Sequence, residues 1–263
     1  MPFFTWRGSL LLAGTGPSDY GDGLFAPEAR EHAETILAAV CEEAIKRDCT
    51  EIDLQQLCAQ SPLLNAPAPE RWASEIQEGV VCPVAPLCGE DGLDALSSRW
   101  RKNLKRARRQ LEKEAAFDLV LTRSREAGDT ARVLERLHAR RWEEKGEPGV
   151  LADELMRGFL RSALPELSAS GLLRTHRLAA QGNTMAVVLA LQDRNRAYYY
   201  LSGFDPAWAE WSPGLVTVAA AMTHAAREGA CEFHFLRGRE AYKYHLGAQD
   251  RATWRRVLKR VPG

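Results

Sequence analysis

The segment LLRTHRLAAQGNTMAVVLALQDRNRAYYYLS, residues 172–202, changes between apolar and polar side chains with a period of two. Such alternation is typical of strands that bury one face. Gln181-Gly182-Asn183 and Asp193-Arg194-Asn195 interrupt it, and both have the composition of tight turns. The segment therefore predicts three consecutive antiparallel strands.

A helix is predicted directly after this meander. Ser212 has the residue type of an N-cap, Pro213 suits the first helical position, and Gly214 keeps the turn open. The helix is expected to run to about Glu228, where Gly229 ends it. A helix N-terminus presents unpaired amides and a partial positive charge, so this turn suits a pyrophosphate or a carboxylate.

CEFHFL, residues 231–236, predicts the next strand, with Phe233 and Phe235 on one face and His234 on the other. Gly238 permits a tight turn after it. A polar cluster follows the strand, consisting of Arg237, Arg239, Glu240, Tyr242 and Lys243. The pattern indicates a buried strand that delivers polar groups to a cleft.

Helices are predicted at 96–115, 129–145 and 153–168, with a strand, FDLVLTR, at 117–123. The first of these helices has one apolar face. Its other face is basic, with Arg99, Arg101, Lys102, Lys105, Arg106, Arg108, Arg109 and Lys113. Such a face is either solvated or binds phosphates. Nearer the N-terminus, helical spacing from Pro27 to about Asp48 precedes a strand, EIDLQQL, and a proline-rich loop.

Composition excludes several classes of protein. The 263 residues carry no net charge, so a nucleic-acid or lipid partner would need a local basic patch. No apolar run is long enough to span a bilayer, and the N-terminus lacks the basic start of a secretory signal, so we expect a cytoplasmic protein. The six cysteines form no CxxC pair, which predicts reduced thiols and no metal site.

Five motifs occur in order along this pattern of elements. They are RxNLKRxRR at 101–109, LHxRRW at 137–142, LSGFDPxW at 201–208, WSPG at 211–214 and FLRGREAYK at 235–243. Together they resemble acyltransferases of the GNAT fold, specifically the CelD/BcsL type named for cellulose biosynthesis, which is related to Fem-type peptidoglycan aminoacyltransferases. The strongest resemblance covers about residues 96–258.

The resemblance implies a mixed α+β fold with two parts. Residues 93–263 are expected to form a complete GNAT domain, and residues 1–92 an incomplete GNAT-like half, because the family usually has further residues before the segment GTGPSDY. His234 is a second departure, since the family more often has Asp there.

The same resemblance implies site residues. Coenzyme A is expected at Ser212, Gly214 and Leu215, with Arg237 and Gly238 also in cofactor binding. Lys243 is expected to stabilise an oxyanion or phosphate, unless it only forms a surface salt bridge with Glu240. Predicted catalytic residues are Lys243, Glu240, Tyr242 and His234, with Glu240 favoured as the base and Asp205 and His224 as other candidates.

Two motifs have no decided role. Tyr198, Tyr199 and Tyr200 either pack in the core or line an acceptor groove, because they alternate across one strand. His138, Arg141 and Trp142 share a helical face, to which no chemistry is assigned.

The function expected from sequence is transfer of an acyl group, most simply acetyl from acetyl-CoA, to an amine or hydroxyl of an envelope or exopolysaccharide precursor. The reaction would proceed by direct attack in a ternary complex, without a metal. Two alternatives stay open: a non-catalytic binding protein of the same fold, and a Fem-like transferase that uses aminoacyl-tRNA.

Overall fold

The computed structural model describes residues 1–114, 117–122 and 127–262, which form two compact units. The first contains Met1–Cys82, the short segment Arg237–Arg239 and the C-terminal segment from Asp250 onward. The second contains Pro83–Leu236 and Glu240–Gln249. The predicted division into a partial GNAT-like half at 1–92 and a GNAT domain at 93–263 stays a prediction.

The first unit is a five-stranded sheet with two helices. Its strand order is β1-β2-β3-β11-β4, and β11 is antiparallel to both neighbours, whereas β2 and β3 are parallel. Leu37, Val40 and Ala44 on one face of α1 pack in its core. The elements are β1 (Phe3–Trp6), β2 (Ser9–Leu12), α1 (Ala33–Lys46), β3 (Glu51–Leu57), α2 (Pro62–Asn65), β4 (Trp72–Val81) and β11 (Ala252–Arg260).

The second unit has a six-stranded sheet of order β5-β10-β9-β8-β7-β6, antiparallel except for the β9–β10 pair. Its strands are β5 (Val84–Pro86), β6 (Phe117–Thr122), β7 (Leu173–Ala180), β8 (Asn183–Asp193), β9 (Arg196–Phe204) and β10 (Glu232–His234). Its helices are α3 (Ser98–Glu114), α4 (Ala127–Lys145), α5 (Glu154–Ala169), α6 (Pro213–Arg227) and α7 (Ala241–His245).

Helices cover both faces of this second sheet. Side chains of α3 and α6, such as Ala107 and Met222, pack on one face. Leu134 and Leu137 of α4 and Leu160 of α5 pack on the other. Neighbouring residues of a strand therefore enter different cores, as the period of two requires.

The predicted mixed α+β class and the meander are confirmed. Strands β7, β8 and β9 are consecutive and antiparallel, and positive φ angles at Gln181, Gly182 and Arg194 form their turns. Helices α3, α4, α5 and α6 begin and end within two residues of the predicted positions. The helix predicted from Pro27 differs: Pro27–His32 form a 3-10 helix, and α1 begins only at Ala33. Ala115 and Arg123, the expected ends of the basic helix and of the following strand, lie outside the described residues.

Two local predictions are corrected by the structure. Ser212 occupies the predicted N-cap position of α6, but its backbone is left-handed, with φ 52°, and its hydroxyl makes no capping hydrogen bond. The strand predicted over 231–236 ends at His234, since Leu236 at φ 58° and Gly238 at φ 104° turn the chain away.

No helix among the residues that the structure describes is both long enough and apolar enough to cross a membrane.

Candidate active site

The parallel strands β9 and β10 pair over only three residues. The register runs from Glu232 opposite Arg196 to His234 opposite Tyr198. Beyond Tyr198, no strand of the described chain pairs with this edge of β9, although β9 continues to Phe204. The two strands therefore open into a cleft at their carboxyl ends, where ligands commonly bind in open sheets.

A cavity of about 230 Å³ lies at the open end of β9. Most of its wall is apolar and comes from β8, β9 and the first turns of α6, including Val188, Phe204, Leu215 and Val218. Gly203 keeps α4 close to this wall, because a Cβ there would lie 3.0 Å from the backbone nitrogen of His138. An apolar wall with few polar groups is typical of a small-molecule site.

The N-terminus of α6 forms one side of this cavity. Pro213 has no N–H, and within the described chain the amides of Gly214 and Leu215 have no acceptor. The first such bond in the helix joins Val216 N–H to Ser212 O at 3.2 Å. These two amides and the helix dipole can therefore bind an anionic group.

Two tyrosines and a serine supply hydroxyl groups to the same cavity. Tyr242 hydrogen-bonds to Tyr199, and the Tyr199 hydroxyl hydrogen-bonds to Ser202 Oγ. Burial raises the pKa of Tyr242 above its ordinary value, and the neighbouring Tyr199 raises it further. The phenol therefore stays protonated at neutral pH and can donate a hydrogen bond or a proton.

Arg141 brings a positive charge to the cavity from α4. Its guanidinium carbon lies 5.1 Å from the centre of the Phe204 ring, which holds the side chain over the β9 edge. One turn before it, burial and the charge of Arg141 lower the pKa of His138 to about 4. His138 is therefore neutral, and Arg141 carries the charge on this wall.

The sequence of this unit matches a known family. The acetyltransferase (GNAT) domain family matches residues 98–244, more than half of the 263 residues. The chain belongs to this family. The GNAT prediction is thereby confirmed, while the narrower CelD/BcsL assignment stays a prediction. No curated protein matches the sequence.

Solved structures similar to this GNAT protein share its fold at low identity. A conserved protein of unknown function from Bacteroides thetaiotaomicron is 13% identical, with a TM-score of 0.63 over 87% of this chain and 75% of that one. The C-terminal domain of a putative lysylphosphatidylglycerol synthetase from Agrobacterium fabrum is 11% identical, with 0.66 over 97% and 78%. FemX is 14% identical, with 0.54 over 97% and 82%.

Four of the predicted site residues line the cavity of this GNAT domain. They are Ser212, Gly214, Leu215 and Tyr242. A Cβ on Gly214 would come within 3.4 Å of the Phe204 ring, so any larger side chain would enter the cavity. Ser212 contributes through its place in the wall and not through a cap.

Lys243 is buried, not on the surface. Only 2% of the residue is exposed, and its Nζ lies 2.9 Å from Glu240 Oε2 and 3.4 Å from Leu236 O. These contacts hold the turn that follows β10. The expected alternative was a surface salt bridge with Glu240. Glu240 is indeed the partner of Lys243, but the ammonium group is buried. A catalytic role for Lys243 and for Glu240 stays a prediction.

His234 lies on the sheet face opposite Phe233, because neighbouring strand residues alternate. Its Nε2 is 3.0 Å from Glu232 Oε2, and its ring centre is 4.9 Å from that of Tyr198. It is absent from the lining of the cavity, whose wall includes Tyr199 from the Phe233 side of the sheet. Its predicted catalytic role is untested.

Arg237 belongs to the first unit with Gly238. Its guanidinium contacts the Asp19 carboxylate and donates to the carbonyl oxygens of Gly16 and Ser18 at 2.7 and 2.8 Å. These bonds attach residue 237 to the loop at 16–19. Cofactor binding by Arg237 and Gly238 therefore remains a prediction.

Asp205, a candidate base, has other partners. One carboxylate oxygen accepts from the Ala207 amide at 3.1 Å and the other from Arg140 at 2.7 Å. Both bonds fix the turn between β9 and α6.

Sequence reasoning assigned no role to Arg141 and left Tyr199 undecided, and it did not consider Ser202. The three consecutive tyrosines at 198–200 did indicate the site, since Tyr199 both packs in the core and lines the cavity. The Arg141 side chain is directed there by the packing of α4 on β9, which no spacing reveals. Among the described residues, no group of three or more His, Cys, Asp or Glu could hold a metal ion.

Proposed function

We propose that this GNAT protein transfers an acyl group from an acyl thioester, most simply acetyl-CoA, to an amine or hydroxyl acceptor. One observation carries the proposal: the two amides of α6 without acceptors and the Tyr242–Tyr199–Ser202 hydroxyl chain line the same apolar cavity. An acyl-CoA has anionic phosphates, an apolar arm and a thioester. Each part has a complementary group here.

The donor would bind with its pyrophosphate at the Gly214 and Leu215 amides. Main-chain donors at a helix N-terminus favour phosphate through both hydrogen bonds and the helix dipole. The apolar arm would follow the unpaired edge of β9 past Phe204. Ser212 would line the entrance.

The chemistry requires one bond to form and one to break. The acceptor nitrogen or oxygen attacks the thioester carbon, and the C–S bond of the tetrahedral intermediate then breaks. Tyr242, which is protonated at neutral pH, would donate a hydrogen bond and finally its phenolic proton to the leaving thiolate. Solvent would return a proton to the phenolate as the products leave. The acceptor's proton passes to a base, for which Glu240 is the candidate because its charge acts on Tyr242.

Arg141 would stabilise the negative oxygen of the intermediate or an anionic part of the donor. The acceptor proposed here, an envelope or exopolysaccharide precursor, rests on the CelD/BcsL resemblance alone.

Titration calorimetry with acetyl-CoA and with free CoA tests the donor. Gly214→Trp should abolish binding, because the indole would fill the cavity beside Phe204. Gly158→Trp is the matched control: it introduces the same side chain at a helical glycine of α5 whose Cβ would meet no atom within 4 Å. Micromolar binding, worth roughly 8 kcal/mol, should persist in the control.

If Gly214→Trp still binds the donor, the donor does not bind at the α6 turn. Absence of binding to both thiol compounds would remove acetyl-CoA altogether and leave a non-catalytic binding protein or another donor.

A second candidate donor is aminoacyl-tRNA, and the basic face of α3 favours it. Lys102, Lys105, Arg106, Arg109 and Lys113 line a shallow concavity of about 370 Å³. None of the five has an acidic partner in the described chain, so their charge is available to phosphates. The resemblance of the sequence motifs to Fem-type aminoacyltransferases agrees with this choice of donor.

Filter binding with total tRNA separates the two donors. In the tRNA case, affinity should fall steeply with salt, and replacing Lys105, Arg106 and Arg109 with Gln should lower it about tenfold or more. Exposed Arg132, Arg136 and Arg194, replaced with Gln, provide a control of equal charge change. Equal effects of the two triple variants would indicate non-specific attraction.

A further inference from the structure

A second cavity lies along α6 in the same unit, on a different stripe of the helix. Val216, Ala219, Thr223 and Arg227 line it, whereas Leu215 and Val218 line the donor cavity. Its volume is about 430 Å³, and side chains from α3 and β7 close its other sides. Nothing in the proposed acyl transfer uses it.

Two histidines face each other in this second cavity. His176 on β7 is 3% exposed, and neither ring nitrogen has a hydrogen-bond partner in the described chain. His224 on α6 has a ring centre 5.3 Å away, and its Nδ1 is also without a partner there. A buried imidazole without hydrogen bonds costs free energy, so the site suits a ligand that supplies them.

The charge around the two rings is positive. Arg108 and Arg227 belong to the lining, and burial together with the charges of His224 and Arg174 lowers the pKa of His176 to about 3. The carboxylate of Glu228 beside His224 is already bonded to Arg174 Nε at 2.7 Å and lies 3.3 Å from His224 Nε2. A cation is therefore disfavoured and an anion favoured.

The wall between these groups is apolar, with Leu93, Leu104, Val216 and Ala219. Since the cavity exceeds the volume of an inorganic ion, an occupant would have an apolar body as well as an acid group.

We propose that this cavity, between α3, α6 and β7, binds a small organic anion whose carboxylate or phosphate accepts hydrogen bonds from His176, His224 and Arg227. The apolar body of the ligand rests on Leu104, Val216 and Ala219. The site is separate from the donor cavity, so it does not depend on the acyl-transfer proposal.

Proton uptake can accompany binding. An anion beside the rings favours their protonated form. The charged groups around His176 are Arg174 on β7, His224 and Arg227 on α6, Glu228 directly after α6, and Arg108 with its partner Glu112 on α3. The arginines do not titrate in the range from pH 5 to 8, and the lowered pKa of His176 keeps its imidazole neutral there before an anion binds.

Phenyl phosphate and benzoate are the probes, with benzyl alcohol as a neutral analogue of similar shape and zinc chloride as a test for a metal. Calorimetry at low salt and pH 7 should show saturable binding of phenyl phosphate or benzoate. The identity of the tighter binder decides between phosphate and carboxylate. Ring-nitrogen NMR signals of His176 and His224 should shift with it.

Two variants test the assignment. His176→Leu and Arg227→Gln should each weaken binding about tenfold, the value of a charge-assisted hydrogen bond. Arg132→Gln, an exposed helical arginine of α4, should not. Because Arg227 is exposed, its variant keeps the fold even if His176→Leu does not.

The proposal is overturned if neither anion binds, if benzyl alcohol binds equally well, or if Arg227→Gln has no more effect than Arg132→Gln. Zinc binding that shifts both histidine rings and excludes the anions would replace it with a metal site.

Discussion

The turn at 212–215 and the segment at 236–243 were both expected to supply site residues, the first for the donor and the second for the donor and for catalysis, but they differ in what their polar groups contact. Gly214 and Leu215 keep amides without an acceptor in the described chain. In contrast, Arg237 bonds to the loop at 16–19 and Lys243 to Glu240 and Leu236. A helix N-terminus cannot satisfy its own first amides, whereas flexible charged side chains can satisfy one another.

Tyr242 is the exception within the second segment, since its ring lines the cavity. Next to it, Lys243 is turned into the protein. Adjacent residues of a short helix point in different directions, so one motif contains both a candidate reacting group and a structural one.

The largest expected effect sharpens this contrast at Tyr242. Tyr242→Phe keeps the ring and removes the hydroxyl that is proposed to protonate the thiolate, so kcat should fall about 100-fold or more while KM changes little. Steady-state kinetics with acetyl-CoA and an accepted amine measure both constants.

Tyr244→Phe is the control, because it removes a hydroxyl from the same helix outside the cavity lining. If Tyr242→Phe retains full turnover, the phenol only packs against its neighbours, and Tyr242 is not a reacting group.

Lys243→Ala tests the structural side of the comparison. The substitution removes a buried ammonium that contacts Glu240 and the turn at Leu236, so the free energy of unfolding should fall by about 2 kcal/mol. Urea denaturation measures it. Exposed Lys102→Ala in α3 should change stability by less than about 0.5 kcal/mol.

Unchanged stability in Lys243→Ala, combined with lost turnover, would return Lys243 to the catalytic role expected from sequence.

Local chemistry explains which features could be predicted from the sequence. The period of two over 172–202 determined the meander, and the glycine turn at 181–182 determined its first hairpin. The basic face of α3 and the apolar start of α6 could also be predicted, because the spacing of residues along a helix shows which side chains share a face.

The rest depended on contacts between distant segments. Arg237 lies more than 200 residues from the loop that it holds, so its motif gave no indication of that partner. Arg141 enters the cavity from α4, which packs closely on β9 at Gly203. Ser212 has the residue type of an N-cap, but its backbone is left-handed, which its residue type does not indicate.

A smaller effect concerns the wall of the cavity on α4. Because burial and Arg141 lower the pKa of His138 from 6.5 to about 4, the unfolded chain binds a proton between these pH values that the folded chain does not. Stability should therefore fall as pH decreases from about 6.5 to 4, by at most about 1.4 kcal/mol per pH unit for this group.

NMR titration of His138 measures that pKa directly, and Arg141→Met should raise it toward the ordinary value. Exposed His32→Gln is the control for the denaturation series. Below pH 6.5, the free energy of unfolding should fall more steeply with decreasing pH in His32→Gln than in His138→Leu. An identical slope in His138→Leu and the wild type would assign the acid sensitivity elsewhere, for example to His176.

The smallest expected effect separates the backbone of the α6 turn from its side chain. Ser212 adopts φ 52°, where glycine is unstrained, and its hydroxyl caps nothing, so Ser212→Gly should raise the free energy of unfolding by about 0.5 kcal/mol. A side-chain N-cap would give the opposite sign. Donor affinity measured by calorimetry should stay the same, because the amides of Gly214 and Leu215, not the hydroxyl, are proposed to hold the phosphates. A tenfold loss of affinity in a stabilised Ser212→Gly variant would mean that the Ser212 side chain, and not the backbone, binds the donor. The turn would then use side chains, as the 236–243 segment does.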